Sequence, residues 1–132
     1  MTTSLFSLRH LVMLMVAAFV LISGTSLNSV QANACTFYAI DANIAACYTG
    51  PLLTVTSSWG PGGTASSGNV NPGGTTLVAQ PMGPLNSATL LGYTATPGSP
   101  AYIPLGGGIC LKLAIIVDSM GCYHIDLTCI IC

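Results

Sequence analysis

Charged side chains are almost absent from this sequence. Its 132 residues include two Lys or Arg and three Asp or Glu, so 4% of the chain is charged, against about 25% in an ordinary soluble domain. So few cations cannot neutralise many phosphates, which excludes nucleic acid as a partner and argues equally against electrostatic binding to anionic lipid. The surface must instead consist of Thr, Ser, Asn, Gly-rich turns and apolar area, which weakens charge-based protection against association.

The sequence also lacks the motifs of common catalytic sites. It contains no Gly-x-Ser-x-Gly elbow, and Gly106–Gly108 is not followed by the Lys and Ser or Thr of a phosphate-binding loop. His124 and Asp126 alternate on one predicted strand face with Lys112 nearby, a trio that could hold a metal or transfer protons. Because no supporting acid or base is found elsewhere, we interpret them as the solvated face of a half-buried sheet. We therefore expect no enzyme activity, no catalytic residue, no metal and no cofactor.

No hydrophobic run near the N-terminus is long enough to span a bilayer. Residues 11–24 form an apolar run of 14 residues, whereas a transmembrane helix needs about 20. The run is followed by Ala32-Asn33-Ala34, the small-x-small pattern that signal peptidase reads. We therefore predict a signal peptide over residues 1–34 and a single secreted domain over residues 35–132, with no transmembrane span after cleavage. The alternative is that Cys35, the first residue after cleavage, carries a lipid.

Six cysteines, all after residue 34, predict three disulfides. Disulfides form in oxidising compartments, so we expect a secreted or extracellular location, or a periplasmic or cell-surface one. Six cysteines allow 15 pairings. If Cys129 and Cys132 lie in one extended strand they are about 10 Å apart, too far to join each other, so they need different partners. A zinc site would need a second Cys-x2-Cys pair, which is missing. The predicted disulfide residues are Cys35, Cys47, Cys110, Cys122, Cys129 and Cys132.

The C-terminal residues carry the clearest structural pattern. Apolar side chains recur at every second position through residues 109–118 and again through residues 123–132, which is the period of a strand with one apolar face. Ser119-Met120-Gly121 supplies a three-residue loop, with Gly at the position that takes positive φ. The resulting hairpin sets odd positions opposite odd ones, so that Leu113 faces Leu127. A shift by one residue would expose the whole apolar set.

The segments before this hairpin predict one helix and several short strands. A helix is predicted over residues 35–47, because Phe37, Ile40 and Ile44 fall at helical spacing among alanines. Residues 60–74 form a Gly/Pro-rich loop with Pro-Gly turns at both ends, and the small polar residues 64–70 between them predict a mobile loop or a short edge strand. Strands are predicted at residues 52–59, 75–80, 88–95 and, as an edge segment, 101–104. The predicted fold is therefore mainly β, a small disulfide-stapled β-sandwich or sheet of 5–6 short antiparallel strands with one N-terminal helix.

The composition predicts a structural role. We expect a secreted or cell-surface protein that associates with itself or with another surface protein, because its exterior is neutral and partly apolar. The alternative is a monomeric extracellular binding module that presents the loop over residues 60–74 and nearby aromatic side chains to carbohydrate or protein. The residues predicted to form a contact surface are Trp59, Tyr93, Tyr102, Ile116 and Ile130.

Overall fold

The computed structural model describes residues 35–132, and every regular element in that range is a β-strand. The strands are Phe37–Asn43 (β1), Thr54–Trp59 (β2), Thr64–Asn69 (β3), Gly74–Ala79 (β4), Leu85–Leu90 (β5), Tyr93–Ala95 (β6), Ala101–Gly106 (β7), Ile109–Val117 (β8) and Tyr123–Ile131 (β9). They form a five-stranded sheet in the order β4-β1-β9-β8-β7 and a four-stranded sheet in the order β3-β2-β5-β6. The mainly β prediction is confirmed, but the strands are not all antiparallel as predicted, because β1 and β9 pair parallel. The predicted signal peptide lies outside the described residues.

Alternation along the strands places one apolar core between the two sheets. In β1, Tyr38, Ile40 and Ala42 are buried, whereas Phe37 and Asn43 at its ends are exposed. The same period of two runs through the other long strands, so each sheet turns one face inward, as in a β-sandwich. The core includes Ile40, Leu111, Leu113, Ile125 and Leu127 from the five-stranded sheet and Val55, Trp59, Leu85 and Leu90 from the four-stranded sheet.

The C-terminal hairpin has the predicted register. β8 and β9 pair antiparallel with Leu113 opposite Leu127, and both side chains are fully buried. The N–H of Asp118 donates to the carbonyl of Cys122 at 2.9 Å and closes the turn. Gly121 takes a φ of 82°, which a residue without a Cβ adopts at little cost. The hairpin prediction is therefore confirmed in its strands, its turn and its pairing.

The predicted helix over residues 35–47 is wrong, because this segment contains β1. Apolar residues at Phe37, Ile40 and Ile44 fit helical spacing, but Tyr38, Ile40 and Ala42 also alternate as in a strand. β1 pairs antiparallel with β4 on one side and parallel with β9 on the other. Pairing on both sides satisfies the backbone hydrogen bonds and buries the alternating face, which outweighs a weak local helix preference.

Besides β1, two further strands raise the count above the predicted 5–6. Within the Gly/Pro-rich loop over residues 60–74, β3 lies at the edge of the four-stranded sheet, which is the edge-strand alternative predicted for residues 64–70. The single strand predicted over residues 88–95 is two strands, because Leu91 and Gly92 form a tight turn with φ values of 51° and 83°. Two successive positive φ values are typical of the type I′ turn that joins hairpin strands.

All three disulfides involve the C-terminal hairpin: two connect it to the N-terminal part of the described chain, and the third joins its two strands near their ends. They join Cys35 to Cys122, Cys47 to Cys129 and Cys110 to Cys132, and no cysteine in the described residues is free. Cys129 and Cys132 have different partners, as predicted. Sequence separations of 87, 82 and 22 residues correspond to about 4.5, 4.5 and 3.4 kcal/mol in the chain-entropy model. Such cross-links in so small a domain fit an oxidising compartment.

Candidate functional site on the outer face of the five-stranded sheet

Charged side chains of the described residues gather on one side of the molecule. Alternation from the buried positions of β1, β8 and β9 turns Asp41, Lys112, His124 and Asp126 to the outer face of the five-stranded sheet. Asp118 follows β8 and joins the same group through His124. The outer face of the four-stranded sheet is uncharged and presents hydroxyl groups. These hydroxyls belong to Thr54, Thr56, Ser58, Ser67, Thr89 and Thr94.

His124 bridges two aspartates that are far apart in the chain. Its Nδ1 lies 2.7 Å from Oδ2 of Asp41, and its Nε2 lies 3.0 Å from Oδ2 of Asp118. The parallel register of β1 and β9 produces the first contact. It sets Ala39 beside His124, so that Asp41, two residues further along β1, lies diagonally across from the histidine. The hairpin turn produces the second contact, because Ile116 pairs with His124 and so places Asp118 diagonally across from it. A doubly protonated imidazolium donates one hydrogen bond to each carboxylate.

Asp118 is positioned by its own turn before it meets the histidine. Its Oδ1 accepts hydrogen bonds from the backbone N–H groups of Met120 and Cys122, at 2.9 and 3.0 Å. An aspartate that binds the backbone two residues ahead in this way stabilises a tight turn. Its other carboxylate oxygen stays available to His124. The turn and the ion pair therefore support each other.

Asp41 is held between His124 and a threonine on the neighbouring strand. Its Oδ1 accepts a hydrogen bond from the Thr75 hydroxyl at 2.8 Å, while its Oδ2 faces His124. The antiparallel register of β1 and β4 sets Asp41 opposite Thr75, and the parallel register of β1 and β9 sets it beside Asp126. Two carboxylates thus lie next to each other in the middle of the sheet.

The pKa values of the cluster follow from these contacts. Hydrogen bonds to Asp118 and Asp41 raise the pKa of His124 above its usual 6.5, against a smaller effect of burial. The hydrogen bond from His124 and those from the turn lower the pKa of Asp118. Burial opposes ionisation of Asp41, but hydrogen bonds from His124 and Thr75 outweigh it and lower its pKa. Burial, followed by the charge of Asp41, raises the pKa of Asp126. The cluster therefore favours the protonated form of His124 and disfavours a second negative charge beside Asp41.

A shallow depression of about 260 Å³ adjoins the two central carboxylates. Its lining includes Asp41, Asn43, Thr75, Asp126 and Thr128. Among the described residues, no group of three His, Cys, Asp or Glu side chains has an arrangement suited to a metal ion. These contacts favour a proton on His124, which links β9 to Asp41 on β1 and to Asp118 in the hairpin turn. This arrangement ties three parts of the chain together.

The predicted trio of Lys112, His124 and Asp126 is replaced by a different set. Lys112 lies opposite Thr128 as its position in the hairpin requires, but it forms no ion pair within the described residues. His124 pairs instead with Asp41 and Asp118. Asp118 lies diagonal to His124 in the predicted hairpin and could have been found from the sequence. Asp41 could not, because no local pattern shows that β1 lies beside β9.

Trp59 does not belong to a contact surface, because its side chain is fully buried. Its ring packs against Tyr38 at 5.0 Å and edge-on against Tyr123 at 5.4 Å between centroids. Its Nε1–H donates to the buried Ser57 hydroxyl at 2.8 Å, which in turn donates to the Ser66 carbonyl at 3.2 Å. A buried indole needs such an acceptor, and Ser57 supplies it. The prediction that Trp59 is a contact residue is wrong.

Of the other four predicted contact residues, Tyr102, Ile116 and Ile130 lie on the outer face of the five-stranded sheet, where Tyr102 pairs with Lys112, whereas Tyr93 lies in the other sheet. Tyr93 is in the short edge strand β6, and Tyr102 is in the edge strand β7. Ile116 and Ile130 share the outer face of the five-stranded sheet, but Ile116 pairs with His124 near the turn and Ile130 pairs with Cys110 near the other end of the hairpin. Ile116 is exposed and Ile130 is half-buried. The structure therefore does not unite all four in one surface.

The four edge strands of the sandwich differ in how well they resist pairing with another chain. β7 contains Pro104, which has no N–H, and a register shift follows it. β6 has three residues, and β3 combines Gly68 with small polar residues of low strand preference. β4, with the sequence Gly-Thr-Thr-Leu-Val-Ala, contains neither a proline nor a charge. Charges, prolines, bulges and short length are the usual protections of an edge strand. β3 and β4 both lack them, but the Thr, Leu and Val of β4 favour strand pairing more than the residues of β3 do, so β4 is the edge most open to pairing.

Comparison of the sequence with protein-family models and with curated proteins, and of the structure with solved structures, finds no match. Function must therefore be argued from the surface that the fold presents.

Proposed function

We propose that this chain is a secreted or cell-surface structural protein, without enzymatic activity, that associates with its own copies or with another surface protein. The observation that carries the proposal is the distribution of charge. His124 pairs with two of the three aspartates on one sheet face, and the rest of the described surface, including an unprotected edge strand, is neutral. Without like charges to keep copies apart, contact between neutral surfaces costs little.

Exposed apolar side chains support association. Met82, Ile131 and Leu77 are between 65% and 92% exposed. Scattered apolar residues are normal on a protein surface, but here they are accompanied by almost no charge. Leu77 is of particular interest because it lies on β4, next to the open edge of a sheet. Three disulfides and the predicted signal peptide support a location outside the cell or in another oxidising compartment.

Sedimentation velocity of the oxidised exported protein tests the proposal. We expect the mean mass to rise with protein concentration in the micromolar range, and to change little between low and high salt, because no ion pair would hold the copies together. A single monomeric species at every concentration, in the absence of any partner, would refute self-association. Association that disappears in high salt would show that the charged cluster, rather than the neutral surface, makes the contact.

A monomeric extracellular binding module is the second candidate, and the outer face of the four-stranded sheet favours it. Neighbouring strands align Ser67, Thr56, Thr89 and Thr94 in one row across the sheet, and the Thr89 and Thr94 hydroxyls lie 2.8 Å apart. Neutral hydroxyl rows suit hydrogen bonding to carbohydrate. With Trp59 buried, that face would bind without the aromatic platform predicted from the sequence. A stable monomer whose migration is retarded by neutral polysaccharide in an affinity gel would favour this candidate over self-association.

A further inference from the structure

Unpaired backbone groups line the open side of β4. The N–H of Gln80 donates to the carbonyl of Thr36 at 2.9 Å, which marks these two residues as a hydrogen-bonded antiparallel pair. Alternation from that pair turns the even residues of β4 towards β1 and turns the N–H and C=O groups of Thr75, Leu77 and Ala79 away from it. Because β4 is the last strand of its sheet, these groups meet no other strand among the described residues. The edge therefore offers three residues for pairing with a further strand.

We propose that the occupant of this edge is β4 of a second copy of the chain, paired antiparallel about a two-fold axis at Leu77. The inference rests on the proposed function and names its partner and its contact. In this register Leu77 faces Leu77 of the second copy, and Thr75 faces Ala79 of the second copy. All three outward residues then form hydrogen-bonded pairs, giving about six hydrogen bonds between the copies. The two five-stranded sheets become one continuous sheet.

The side chains around the axis suit a second copy. Phe37 lies opposite Ala79 and is therefore diagonal to Leu77 on the same outer face, and both side chains are more than half exposed. The two-fold axis would bring these apolar pairs from both copies together, where cross-strand apolar contacts stabilise the pairing. A symmetric contact needs the same patch to complement itself. An uncharged strand with an apolar centre meets that requirement.

Electrostatics do not oppose the contact. No residue of β4 is charged, and the nearest aspartate on β1, Asp41, has its carboxylate engaged by Thr75 and His124. Like charges directly opposite each other destabilise paired strands, and none would face each other here. On the inner face, Thr76 would lie beside the half-buried Val78 of the second copy, which extends the core side of the sheet without a polar mismatch.

The substitution Leu77→Lys, with Leu52→Lys as its matched control, tests the inference. Both replace an exposed leucine with lysine, but only Leu77 lies on β4, where two lysines would face each other at the axis. We expect Leu77→Lys to weaken self-association at least tenfold in sedimentation experiments, and Leu52→Lys to leave it unchanged. Thermal unfolding of the monomer at low concentration should be similar for all three proteins, because both positions are exposed.

The outcomes separate this inference from the proposed function. If the protein associates and Leu77→Lys associates as strongly as the unsubstituted chain, the copies meet elsewhere, so the inference fails while the proposed function stands. Equal weakening by both substitutions would also overturn it, since any added charge would then suffice. If the unsubstituted protein does not associate with itself at all, the inference fails together with the self-association part of the proposed function, and only association with another surface protein remains.

Discussion

His124 connects three separate parts of the chain through a single side chain. It lies on β9, and its two ring nitrogens face Asp41 on β1 and Asp118 in the hairpin turn. Asp126, the other titratable group of this cluster, has a raised pKa because of burial and the nearby charge of Asp41. Since the histidine side chain is 32% exposed, solvent screens these pairs and weakens their contribution to stability.

We predict that the free energy of unfolding falls as the pH rises above 6.5. The folded state raises the pKa of His124 above its ordinary value of 6.5, so it binds the proton more tightly than the unfolded chain does. The resulting stability is fully present below pH 6.5 and is lost as the pH rises through the raised folded-state pKa. The lowered pKa values of Asp41 and Asp118 act at the acidic end, where stability is lost as the pH falls below 3.8.

Urea unfolding of oxidised protein between pH 5 and pH 9 measures this dependence, with His124→Gln as the control. The glutamine keeps a hydrogen-bond donor but does not titrate, so we expect its stability to be lower at pH 5 and nearly constant through neutral pH. A profile for the unsubstituted protein that rises through this range, or one that matches His124→Gln, would show that the imidazolium bridge does not stabilise the fold.

The β8–β9 hairpin is the element that contributes most to the core. Leu111, Leu113, Ile125 and Leu127 are all fully buried in it. We predict that Leu113→Ala lowers the free energy of unfolding by about 2–5 kcal/mol, because it leaves a cavity between the sheets. Ile131→Ala is the matched control in the same hairpin: its side chain is 83% exposed, so the loss should stay within about 0.5 kcal/mol. Chemical denaturation of both variants measures the difference, and equal losses would contradict the burial of Leu113 and the exposure of Ile131.

This hairpin could be predicted from sequence because all its determinants are local. The period of two, the glycine in the turn and the odd-to-odd register lie within residues 109–132. β1 could not be predicted in the same way, since its partners, β4 and β9, begin more than thirty and eighty residues further along the chain. Phe37, Ile40 and Ile44 fit a helix, whereas Tyr38, Ile40 and Ala42 fit a strand. Pairing with distant strands makes this segment a strand rather than a helix, and no local sequence pattern predicts that pairing.

The contacts of the candidate site also divide into local ones, which the sequence predicts, and distant ones, which it does not. Asp118 and His124 lie within one hairpin, so their diagonal contact is implied by its register. Asp41 joins them only through the parallel pairing of β1 with β9. Burial of Trp59 also depended on distant residues, because Tyr38 and Tyr123 enclose its ring. The amino-acid composition, by contrast, was enough to predict the neutral surface.

At the scale of the whole molecule, the two sides of the sandwich are unequal. One side ends in β6 and β7, which are short or contain a proline and a register shift. The other side ends in β3 and β4, and neither strand carries a charge. The charged cluster lies on the outer face of the sheet, with Asp41 on the strand next to β4 and its carboxylate turned to His124 and Thr75. The molecule therefore has one side on which a sheet can be extended by another chain.

Amide hydrogen exchange, followed residue by residue by NMR at increasing protein concentration, tests association through this side most directly. We predict that exchange of the Thr75, Leu77 and Ala79 amides slows at least tenfold as oligomers form. The outward amides of Ser67 and Asn69 on β3, assigned by the hydrogen bond from Val70 N–H to the Leu53 carbonyl, should keep their fast exchange. Fast exchange of all three β4 amides at concentrations where oligomers dominate would contradict pairing at β4.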